Sequence, residues 1–60
     1  MPIIMFKEIA EALDLGNIVK NAFDVSVTVT LVGDGMAQIE IQCYTLLDKC
    51  YVENLLKCLL

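Results

Sequence analysis

The chain has 60 residues, 58% of them apolar, with eight acidic residues against four basic ones and a net charge of −4. A single domain of this length buries only about 60% of the surface that its unfolded chain exposes. Ordinary soluble domains are roughly 45–50% apolar, so the excess predicts apolar surface left over after folding, and with it self-association. All four basic residues are lysines, and histidine and arginine are absent. This argues against direct nucleic-acid binding, which needs a basic footprint, and removes the usual neutral-pH general base, nucleophile activator and metal ligand. Charges from Lys7 to Lys57 interrupt every apolar run well short of the ~18 residues of a membrane span. The start, "MPIIMFKE", lacks the n-region and cleavage site of a secretory signal, so the expected location is the cytoplasm.

In the first segment, Phe6, Ile9, Ala10 and Leu13 fall at i, i+3, i+4 and i+7, opposite Lys7, Glu8, Glu11 and Asp14. The spacing predicts an amphipathic helix over residues 3–14. Pro2 suits its entrance and Gly16 a left-handed stop just past its end. Asn17 then caps a short second helix, "IVKNAF".

Next comes "VSVTVTLVGDGMAQIEIQC", from Val25 to Cys43. Its two alternating runs read as strands of a hairpin: Val25, Val27, Val29 and Leu31 share one face, as do Ala37, Ile39, Ile41 and Cys43. A two-residue loop would set Val29 beside Gln38 or Glu40 and mix the faces. A three-residue Gly33-Asp34-Gly35 loop opposes Val32 with Met36, then pairs Leu31 with Ala37, Val29 with Ile39, Val27 with Ile41 and Val25 with Cys43. Gly35 stands where such loops place a left-handed residue. The Gly-Asp-Gly is therefore a turn and not a phosphate cradle, since it leads into a strand, and Asp34 has no visible partner for calcium or catalysis. The outer face of the hairpin is polar but carries no charge except Glu40, and its edges are templates for another chain.

The last segment predicts a helix from Leu46 to Leu59, with Thr45 as N-cap and Asp48 completing a variant capping box. Lys49, Glu53 and Lys57 form a polar stripe with i,i+4 charge pairing. Tyr51, Val52, Leu55, Leu56, Leu59 and Leu60 are the candidate interface, because the apolar arc is wider than one sheet face requires. On that placement Leu56→Glu would dissociate an oligomer. Together the elements predict a two-layer α+β domain in which the helices cover one face of the hairpin.

Cys43, Cys50 and Cys58 are odd in number, and Cys50 and Cys58 would stand about 12 Å apart along a helix, so no disulfide framework is expected. Their spacing matches no paired metal-ligand pattern, and no metal or cofactor is expected. The function these features favour is that of a non-catalytic interaction protein. It would be a small acidic homo-oligomer that binds another protein as an adaptor or inhibitor, of the kind phages and plasmids encode. The alternative is small-ligand binding at an oligomer interface, lined by Met5, Met36, Tyr44 and Tyr51, which also suit ordinary packing. The last is a cysteine-dependent enzyme, for which Cys43, just before a helix, has part of the required setting.

Overall fold

A computed structural model describes residues 2–59; Leu60, at the end of the candidate interface, lies outside them. The elements are β1 (Pro2–Glu8), α1 (Ile9–Ala22), β2 (Ser26–Gly33), β3 (Met36–Gln42) and α2 (Leu46–Leu59). The class is α+β, as the sequence predicts, but the hairpin has gained a third strand and the sheet order is β1-β3-β2. Both neighbours of β3 run antiparallel to it. β1, α1 and β2 therefore form a split β-α-β unit, with β3 inserted between two parallel strands.

The predicted helix over 3–14 is corrected by this first strand. "PIIMFKE" is a short apolar run, and periodicity alone does not separate such a run from a buried helical turn. Partners far along the chain decide it, because Ile3 lies opposite Ile41, Met5 opposite Ile39 and Lys7 opposite Ala37. Pro2 stands at the first strand position, where its missing N–H does least harm.

The helix starts at Ile9 and runs without a break through Gly16 and Asn17, so Ile18–Ala22 of "IVKNAF" are its last part and not a second helix, and Phe23 follows in extended backbone. Its buried stripe is Ala12, Leu15, Gly16 and Val19; Ala10 and Leu13 of the predicted stripe are exposed. Gly16 is no stop. A Cβ added there would sit 3.2 Å from Val27 Cγ1, so the missing side chain lets α1 approach β2 closely. Glu8 gives α1 no side-chain cap, and the Ile9 N–H instead donates to the Gly35 carbonyl of the hairpin turn at 3.1 Å. That bond ties the start of α1 to the β2–β3 connection.

In the hairpin, Leu31–Ala37, Val29–Ile39 and Val27–Ile41 pair as expected. The turn itself differs from the three-residue prediction. Gly33 pairs with Met36, so the loop is Asp34-Gly35, and the register slips between Leu31 and Gly33. Asp34 and Gly35 both have positive φ, at 55° and 74°, the pattern of a type I′ connection. A two-residue loop alone would mix the faces, and the extra residue at Val32, a β-bulge, restores them. Val25 and Cys43 lie beyond the ladder and are both buried.

Ala37, Ile39 and Ile41 of the central strand face the helices and are completely buried. Ala12, Leu15 and Val19 of α1 join them, as do Val52 and Leu56 of α2, in one core that also takes in Val25 and Cys43. Both helices thus cover the same face of the sheet. Ile4, Phe6, Ser26, Thr28 and Thr30 are exposed on the other face.

Candidate functional site

α2 begins where the sequence places it. Thr45 Oγ1 accepts the Asp48 N–H at 3.1 Å, so the cap is local to the helix and needs no tertiary partner. Of the candidate interface, Val52 and Leu56 lie inside the chain's own core, with Leu56 only 5% exposed. Leu56→Glu would therefore strike the fold before it reached any contact between copies. Leu55 is half-buried against the core, while Tyr51 and Leu59 are exposed.

Leu47, Tyr51, Leu55 and Cys58 follow at i, i+4, i+8 and i+11, which sets them on one flank of the helix. Leu47 is 61% exposed and Tyr51 52%. The Tyr51 ring stacks on Phe23, just past the end of α1, with centroids 6.5 Å apart and planes within 9°. This contact anchors one edge of the flank and leaves the rest open. Lys49, Glu53 and Lys57 lie on the far side of α2, and among the described residues the one ion pair is Lys7–Glu11, at 3.7 Å. The expected pairing along the α2 stripe is therefore not formed.

The other candidate residues are scattered. Met5 faces the helices beside Ile39, whereas Met36 shares the opposite face with Glu8 at the turn end of the sheet. Tyr44 is exposed past the far end of β3, where its hydroxyl shares a 3.3 Å hydrogen bond with the Ser26 hydroxyl. One chain therefore does not bring Met5, Met36, Tyr44 and Tyr51 around a common point. No cavity and no cluster of three metal-binding side chains occurs among the described residues.

Cys43 is buried, and Cys50 and Cys58 are exposed on α2. Burial pushes the Cys43 thiol above its ordinary pKa, and the nearby Asp48 carboxylate adds to the rise against a smaller opposing pull from Lys49. A reactive thiolate needs the reverse setting, partly exposed and electropositive. No described helix is long and apolar enough to cross a membrane.

Apolar exposure extends beyond α2. Ile4 and Phe6 lie on the open face of β1, and Leu31 and Val32 at the turn end of β2. Sequence reasoning missed the first pair because it took residues 3–14 as helical. No period-of-two contrast marks this run, since Ile3 and Met5 on one side and Ile4 and Phe6 on the other are all apolar. No protein-family model, curated protein or solved structure matches this chain.

Proposed function

We propose that the chain is a non-catalytic interaction protein, a small acidic homo-oligomer that binds another protein as an adaptor or inhibitor through the open flank of α2. The observation that carries this reading is the division of labour within that helix. Val52 and Leu56 hold α2 to the core, while Leu47 and Tyr51, about 40° apart around the helix, stay exposed. Apolar side chains grouped in this way are costly to leave in water and mark contact surfaces. The residue types agree, because tyrosine and leucine present large contact area on a rigid helix, one of the recurring ways a protein meets a partner. The net charge of −4 favours a partner surface that is basic around an apolar centre.

The test compares the parent with Leu47→Lys in affinity capture from cell extract followed by mass spectrometry, with circular dichroism to verify the fold of each. The expected result is a protein retained by the parent and lost from a folded Leu47→Lys variant. A parent that retrieves nothing but itself, or a partner retained equally by both, overturns the assignment of this flank.

A further inference from the structure

The two edges of the sheet differ in how they are defended. β1 carries Pro2 at its start, Lys7 on the inner side of the pleat and Glu8 at its end. Proline, inward charge and terminal charge are the devices that keep an edge strand from pairing with another chain. β2 has none of these from Ser26 to Leu31. Ser26, Thr28 and Thr30 alternate with Val27, Val29 and Leu31, without charge, proline or glycine, and the bulge comes only at its far end. A β-branched, uncharged edge of this length is a ready template for another strand.

We propose that two copies pair antiparallel along β2, about a two-fold axis through Thr28, joining two three-stranded sheets into one of six strands. This rests on the self-association in the function proposed above and supplies its surface. A second copy is the occupant because the edge is complementary to itself. Inner residues must meet inner ones, and in an antiparallel two-fold pairing this holds only when the axis passes through a residue. An axis through Thr28 sets Thr28 opposite its own copy, Ser26 opposite Thr30, Val27 opposite Val29, and Val25 opposite Leu31. An axis through Val29 would preserve the faces too, but it brings Asp24 opposite Asp34 of the second copy. Two chains of charge −4 meet most readily along the stretch that carries no charge, and the Thr28 axis keeps the flanking aspartates apart.

The same pairing covers apolar surface that one chain leaves bare. Leu31 faces the helix side of the sheet yet is 68% exposed, because nothing lies beyond it at the edge. Gly16 faces Val27 and Val29 of β2 as well as Ile39 of β3, and Leu13 lies about 60° round α1 from it, on the side away from Leu15 and Val19. That places the exposed Leu13 beside the same edge. The smallest stable interfaces bury roughly 600 Å² per partner, about 15% of this chain's 3936 Å². A seven-residue ladder from Val25 to Leu31, with Leu13 and Val32 along its margin, is the surface that supplies this area in the proposed dimer.

The experiment is sedimentation velocity at micromolar concentration on the parent, Thr28→Lys, Thr28→Glu, an equimolar mixture of those two, and Ile4→Lys on the β1 side. The parent and Ile4→Lys are expected at twice the 6.7 kDa chain mass. Thr28→Lys and Thr28→Glu, each opposing its own charge across the axis, are expected to lose the dimer. Their mixture is expected to regain it as a heterodimer, which a variant that merely misfolds would not do. A monomeric parent overturns both this seam and the self-association reading. A dimeric parent whose Thr28→Lys variant is also dimeric overturns the seam alone, and a mixture that stays monomeric overturns the axis through Thr28.

Discussion

The two helices of this protein have equal length, 14 residues each, and are held in place by opposite means. α2 is set by its own sequence. The Thr45 hydroxyl caps it, and its apolar residues outnumber the two that its core contact fully buries. α1 is set by its surroundings. It has no side-chain cap, its first N–H is satisfied by a turn 26 residues further on, and a glycine in its middle lets it sit close to β2. A helix whose ends are local can be read from local signals, and a helix whose ends are tertiary cannot. Both helices leave apolar side chains in water, Leu13 and Ile18 on α1 and Leu46, Leu47, Tyr51 and Leu59 on α2.

The strongest way to break this comparison is to charge the point where α2 meets the core. Leu56→Glu buries a carboxylate with no partner, and a loss of about 4 kcal/mol or more is expected, close to the whole stability of a small domain. Circular dichroism should show no cooperative melt. A variant that melts like the parent would mean that α2 is not docked through this residue.

Gly16→Leu tests the other helix. The added side chain must displace Val27, which already lies 3.2 Å from the position of a Cβ. Overpacking of this kind costs typically 1–3 kcal/mol, offset by the nearly 1 kcal/mol that leucine gains over glycine in a helix. A net loss of up to about 2 kcal/mol in urea unfolding is expected. A gain would show that the glycine is a tolerated helix defect and not a requirement of close approach.

The smallest effect sharpens the contrast between the helix ends. Thr45→Ala removes the side-chain cap of α2 and should cost about 1 kcal/mol. Glu8→Ala, at the uncapped start of α1, should change stability by under about 0.5 kcal/mol, as exposed substitutions usually do. Equal losses for the two variants, measured by the same urea titration, would contradict the distinction.

Much of the fold was legible in the chain itself. The Leu46–Leu59 helix, the facing of Val27, Val29 and Leu31 against Ile41, Ile39 and Ala37, and the α+β class all follow from period and capping. These signals need only residues that are near in sequence, or two runs joined by one turn. Of the candidate site, sequence reasoning located the apolar α2 surface but not its division, because a helical wheel cannot say which part of a wide arc the chain keeps for its own core.

Tertiary structure decided the rest. "PIIMF" satisfies helix and strand patterns equally, and its choice depends on β3 offering a free ladder more than thirty residues away. Gly16 reads as a stop in isolation, yet the approach of Val27 makes it an interior residue of α1. The turn shows the same limit in miniature. The sequence by itself determined that the strand faces must match across Gly33-Asp34-Gly35. Whether three loop residues or two and a bulge achieve the match was left to the local backbone, because both solutions insert the same extra residue and produce the same register beyond Leu31.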